Sequence, residues 1–259
     1  MPVNKAKLIL VAGFGSLLML TAACSSNKDK VAEESSVSSK GDGKGTAPAS
    51  AEAKQADKAL VRFVNATTES KDLAFGDTVP FMKVGADDVT AYKELPAERH
   101  DFKLLPHDKQ VALATNNEGL DAGKHYTVVA VVNKNGKADL NSINDDLTPP
   151  TAGQAKVRLI NLAPGAQKID LYSNAEKDAI ISGDGFDHAT DYKEVDPAQA
   201  ELDVRHGMSK RNSAPVKDVK LQAGKLYTIL VFQDKHGALK AKTIEDEFAA
   251  APNGVSKNS

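Results

Sequence analysis

The residues able to do chemistry are few, and their spacing argues against most catalytic sites. There is one cysteine, Cys24, in an apolar N-terminal stretch, so the body of the chain has no thiol nucleophile and no disulfide. Six histidines, His100, His107, His125, His188, His206 and His236, show neither an HExxH motif nor any other paired metal spacing. They read as packing or solvated groups. No G-x-S-x-G falls on a strand-to-helix turn, which disfavours an acyl hydrolase of the common kind. Oxygen ligands for calcium are on offer at Asn144-Asp-Asp146 and Glu245-Asp-Glu247, with Asp87-Asp88 and Asp184. Without EF-hand spacing, solvated loops are the preferred reading of these acids. Gly41-Asp-Gly-Lys-Gly45 lacks the strand before and the helix after that a phosphate loop requires. No catalytic, metal-ligating or cofactor-binding residue is therefore assigned, and no cofactor is expected.

Composition excludes further classes. Lys and Arg total 33 against 35 acidic residues, so no basic surface for nucleic acid is expected. Only Arg205-His-Gly-Met-Ser-Lys-Arg211 is locally basic, and it reads as a polar hairpin tip rather than a site for anionic lipid or polysaccharide. Aromatics make up 5% with no Trp, which disfavours sugar binding by stacking.

The elements that must position these residues come from a repeat. Leu120-Asp-Ala-Gly-Lys-His-Tyr-Thr-Val-Val-Ala-Val-Val132 returns as Leu221-Gln-Ala-Gly-Lys-Leu-Tyr-Thr-Ile-Leu-Val-Phe232. Each copy is a glycine turn, a tyrosine and a β-branched apolar run that predicts a strand. Leu60-Val-Arg-Phe-Val-Asn65 matches Lys156-Val-Arg-Leu-Ile-Asn161, and Val89–Leu95 matches Ala189–Val195. Both copies then pass a glycine-ended turn, Asn133-Lys-Asn-Gly136 and Asp234-Lys-His-Gly237, and close on an acidic cluster. The offset drifts only from 96 to 101 residues, so the match spans a whole domain.

Short strands are further predicted at 79–84, 100–105 and 168–172, with no amphipathic helix after residue 58. A site is usually built once, so residues present in both copies are assigned to the fold: Arg62/Arg158, Asn65/Asn161, Tyr92/Tyr192, Lys93/Lys193, Glu94/Glu194 and Tyr126/Tyr227. The arginines are expected to pair with Glu94 and Glu194 across the sheet, or to line a shared ligand groove. The short Thr148-Pro-Pro-Thr-Ala-Gly153 connection predicts two units placed end to end.

Lys5 and Lys7, the apolar stretch from Leu8 to Leu20, and Leu20-Thr-Ala-Ala-Cys24 resemble a bacterial lipoprotein signal with its lipobox. Thr21 stands where that pattern usually has Leu. The resemblance implies cleavage before Cys24, diacylation of its thiol and acylation, typically with palmitate, of the new amine. Several acyl chains give firm membrane anchoring, at about 0.8 kcal/mol per buried methylene. Ser25 rather than Asp after the cysteine implies the outer membrane in a two-membrane cell, and otherwise the outward face of the plasma membrane. Residues 25–58 are rich in Ser, Lys, Glu, Ala and Gly and are expected to form a disordered tether reaching roughly 30 Å.

The Leu-to-Tyr spacing across a glycine turn resembles the tyrosine corner of immunoglobulin-type sandwiches, where the phenol bonds to upstream backbone. Val61-Arg-Phe-Val-Asn-Ala66 and Ala122-Gly-Lys-His-Tyr-Thr-Val128 resemble a bacterial family of tandem domains of unknown function on secreted or lipid-anchored proteins. Copy two departs from that pattern at Leu159, Ile160 and Leu162.

The expected organisation is a signal peptide (1–23), a tether (24–58), two immunoglobulin-like β-sandwiches (59–150 and 155–251) and a tail (252–259). The whole is an all-β envelope protein lipidated at Cys24, acting as a structural or protein-interaction module. Its expected partners are a membrane, through that anchor, and another envelope protein. The alternative is an envelope hydrolase or transport accessory with a site at the domain junction, marked by a polar pocket near residues 148–160 with shifted pKa values.

Overall fold

The computed structural model describes residues 57–173, 178–183, 185–197, 201–207, 213–217 and 219–246. Cys24, the leader, nearly all of the tether, Asp184, most of the basic patch and the tail lie outside the described residues.

Every regular element described is a strand. Copy one holds β1 (Lys58–Ala66), β2 (Lys71–Phe75), β3 (Thr78–Val84), β4 (Asp88–Val89), β5 (Lys93–Pro96), β6 (Arg99–Pro106), β7 (Ala114–Gly119), β8 (His125–Val132) and β9 (Ala138–Asp145). One sheet runs β4-β1-β8-β9, with β5 also on β1; the other runs β3-β2-β6-β7. Copy two repeats this with β10 (Ala155–Asn161), β11 (Ile169–Ser173), β12 (Ala179–Ile181), β13 (His188–Ala189), β14 (Lys193–Val195), β15 (Leu202–His206), β16 (Ser213–Val216), β17 (Leu226–Gln233) and β18 (Leu239–Asp246). Its sheets are β13-β10-β17-β18, with β14 on β10, and β12-β11-β15-β16. In both copies the opening strand runs parallel to the tyrosine-corner strand, Val61 beside Tyr126 and Val157 beside Tyr227.

Both corners form. The Asp121 amide donates to the Tyr126 hydroxyl at 3.0 Å, and the Gln222 amide to that of Tyr227 at 3.1 Å. Gly136 and Gly237 supply the left-handed turn residues, at φ 74° and 84°.

Alternation divides each central strand between two cores. Val61, Phe63, Tyr126, Val128 and Ala130 face into copy one, against Leu73, Phe81, Phe102 and Leu104 of its second sheet. Val157, Leu159, Tyr227, Ile229 and Val231 do the same in copy two. The opposite faces carry Val64, Val129, Val131, Ile160, Leu162, Leu230 and Phe232, which pack together as a third core shared by both copies. The two large sheets therefore lie face to face, giving four layers of strand.

This corrects the end-to-end expectation. A strand buried on both sides reads as a continuous apolar run, and β8 and β17 are such runs. Standing alone, either copy would leave one of those faces in water.

The clasp between the two sandwiches

At one end of the shared core the apolar stripe gives way to ions. Arg62 and Arg158 occupy the same outward register on β1 and β10, each one turn of the pleat from Val64 or Ile160. Each Nε donates at 2.8 Å to a threonine on the neighbouring parallel strand, Thr127 or Thr228. Each guanidinium lies over a tyrosine of its own copy, Arg62 over Tyr92 at 4.8 Å and Arg158 over Tyr192 at 4.5 Å. The carboxylates come from the ends of β9 and β18. Asp145 Oδ2 accepts from Thr127 Oγ1 at 2.6 Å and from the Tyr92 hydroxyl at 2.7 Å. Asp246 Oδ2 accepts from Thr228 at 2.6 Å and from Tyr192 at 2.7 Å.

The ion pairs then cross between copies. Arg158 Nη2 donates to Asp145 Oδ1, and Arg62 Nη1 faces Asp246 Oδ1 at 2.7 Å. The exchange is not quite symmetric, because Arg62 Nη2 and Asp246 Oδ1 take part in no aligned hydrogen bond. The Arg62 Nη1–Asp246 Oδ1 contact is an ion pair without good hydrogen-bond geometry, the weaker half of the clasp. All four charged side chains are at most 4% exposed.

Their titration follows from this burial. Burial alone would raise the Asp145 carboxyl, but the Arg158 and Arg62 guanidiniums and the Thr127 hydroxyl hold it below its usual range. Burial pushes the Tyr92 and Tyr192 phenols well above theirs, with Asp145 and Asp246 adding to the rise. Tyr92 and Tyr192 are thus fixed as donors, and Asp145 as an acceptor.

Several sequence expectations change here. The arginines pair with Asp246 and Asp145, while Glu94 and Glu194 are exposed, and Glu194 instead accepts from the Thr151 amide and hydroxyl in the linker. Asp145 and Asp246 are not solvated loop acids; each is the last residue of a strand and is buried. Among the described residues no three His, Cys, Asp or Glu side chains gather as a metal site would need. The other duplicated residues serve the fold. Asn65 Nδ2 donates to the Val84 and Glu69 carbonyls at 2.8 Å, Asn161 Nδ2 does the same to that of Ala166, and Lys93 and Lys193 reach the Pro80 and Ile180 carbonyls of the facing sheet. His100 is buried, with Nε2 on the Pro96 carbonyl at 2.8 Å and its ring against Phe75.

The other end of the shared core breaks the symmetry. Lys240 and Lys242 of β18 reach Asp87 of copy one, at 3.4 Å to the carboxylate and 2.9 Å to the carbonyl. In the reverse contact β9 offers Asp139 and Asn141 to Asp187. Asn141 Nδ2 donates to the Asp187 carbonyl at 3.0 Å, and Asp187 Oδ1 is buried with no hydrogen bond. Burial, then the Asp139 charge, raises Asp187 from 3.8 to about 6, against a smaller opposing effect of His188. Between those values the folded chain keeps a proton that the unfolded chain has lost, so this group costs stability as pH rises through about 6. Asp187→Asn is expected to remove that slope. Melting temperatures of wild type and variant from about pH 4 to pH 7 should converge at the acid end and separate, variant higher, at neutral pH. Parallel curves would refute the assignment.

The repeat found in the sequence is also a family signature. Residues 59–172 and 163–257 both match the family described as "Domain of unknown function (DUF4397)". The chain belongs to that family. The two DUF4397 matches together span both halves of the four-layer body. No curated protein sequence matches the chain. Among solved structures it is similar to a "putative cell adhesion protein" from Bacteroides uniformis, at 15% identity over 73% of this chain and 96% of that one. The TM-score is 0.23, too loose a likeness to bear on function.

Proposed function

We propose that this tandem DUF4397 protein is a structural or protein-interaction module of the cell envelope, held to a membrane by acyl chains on Cys24. The observation that carries this is the sealed junction. A junction enzyme or transport accessory needs its shifted polar groups to meet a substrate. At the clasp the shifted groups are present, but Tyr92, Tyr192, Asp145 and Arg158 spend their hydrogen bonds on one another and on Thr127, Thr228 and Asp246 inside the core. The described grooves lie elsewhere, along the sandwich sides and at loop ends. The charges join two domains into one body able to present a large fixed surface.

The anchor reading rests on the basic Lys5 and Lys7, the apolar stretch from Leu8 to Leu20 and the small-residue approach to Cys24. Metabolic labelling with a palmitate analogue should tag the wild type and leave Cys24→Ser untagged and released from membranes; equal labelling would refute the anchor. For the module, in-cell crosslinking followed by mass spectrometry should return one recurrent envelope protein. A scatter of abundant neighbours with no recurrent partner would count against it.

A further inference from the structure

The two copies differ where the side of each sandwich opens. In copy one the seam lies between β7 and β9, and Asn116 Nδ2 closes it by donating to Ser142 Oγ at 3.0 Å. Phe63, Phe81 and Phe102 fill the core behind. In copy two Val216 stands opposite Leu202 as Asn116 stands opposite Phe102, and Thr243 opposite Ile229 as Ser142 opposite Val128. Valine cannot make the closing bond, and Thr243 Oγ1 is left buried without a hydrogen-bond partner. The core behind is aliphatic apart from Tyr227. A groove of about 820 Å³ remains, floored by Leu202, Val216, Val219 and Tyr227 and rimmed by Glu201, Lys220 and Glu245.

We propose that this seam receives an extended segment of a partner protein, laid along β16 or β18 with an apolar side chain in the groove. The inference rests on the interaction-module reading and gives it a place. Among the described residues β16 and β18 are the outer strands of their sheets, and an exposed strand edge recognises an extended backbone before anything else. The lining favours an apolar side chain, because exposed Pro215 and half-buried Val219 leave apolar surface in water that such a side chain would cover. The Thr243 hydroxyl supplies a hydrogen bond that a backbone amide or carbonyl can take. A rim of both charge signs suits a peptide with charged flanks and not a polyanion. Copy one, with its bonded seam, is the internal control.

The test pans a displayed random-peptide library against the full chain and against Val216→Asn/Thr243→Ser, which carries the pair that closes copy one. Enriched peptides should alternate apolar and polar residues, bind the wild type at least about tenfold more tightly, and slow amide exchange in β16 and β18. Val216→Glu, a charge on the groove floor, is a second blocking variant should the first fold poorly. Equal binding to wild type and blocked chains overturns the proposal. So does seam protection already complete in the free monomer, which would assign the groove to the chain itself, or protection that grows with protein concentration alone, which would assign it to a second copy. A crosslinked partner seated on other faces would sink the seam and leave the module reading intact.

Discussion

An Asp145→Ala chain is expected to unfold with about 3–5 kcal/mol less free energy than wild type, the usual cost of removing one member of a buried ion pair. The reason is what stays behind. Arg158 keeps its charge in a site 2% exposed and loses its strongest acceptor, and the Thr127 and Tyr92 hydroxyls lose theirs. Most of that cost is the uncompensated guanidinium rather than the worth of the pair. Replacing Arg62, Arg158, Asp145 and Asp246 together by Met and Leu should therefore cost much less than Asp145→Ala alone. Urea unfolding of the two chains checks this. A single-site loss under about 1 kcal/mol, the scale of a surface pair, would mean the clasp is solvated. Acid should weaken the same contact. Asp145 titrates below its usual value when folded, so its stabilisation is present at neutral pH and lost as pH falls through the folded value.

Leu230→Asp should be comparably damaging, on the order of 4 kcal/mol, because it buries an unpaired charge. Leu230 is fully buried and faces the other copy, not its own sandwich. Were the copies independent, a residue on the outer face of β17 would stand in water and tolerate aspartate with an effect near zero. The same substitution thus separates the face-to-face arrangement from an end-to-end one. Lys240→Ala, at the exposed salt bridge to Asp87, should by contrast change stability by less than about 1 kcal/mol. Thermal melts of the two variants side by side give the comparison.

Much of the body was legible because duplication marks which residues the fold requires. The tyrosine corners, the opening strands and the left-handed turn glycines all lie where matched motifs placed them, though the parallel pairing of the opening strands was not foreseen. The partners of Arg62 and Arg158 were not legible. Local pattern offers Glu94 and Glu194, which sit on strands paired to β1 and β10, whereas the true partners are supplied by the other copy. Nothing in one copy's own periodicity can announce a contact that exists only once two copies meet.

A signal was nevertheless present. Val128 to Val131 and Ile229 to Phe232 are apolar at every position, which a sheet with one wet face does not need. Asp145 was hidden by its neighbours: Asn144 and Asp146 are exposed, and only strand alternation sets the middle acid apart. The open seam of copy two was equally invisible, since Val216 and Thr243 are ordinary strand residues until their counterparts are seen to be bonded.

Equilibrium unfolding in urea, followed by hydrogen exchange and mass spectrometry with peptides reporting separately on β8 and β17, tests the clasped body most directly. One coincident transition for both copies, with a single midpoint shifted equally by Asp145→Ala, is the expected result. Two separated transitions, with the substitution moving only the copy that carries it, would contradict it.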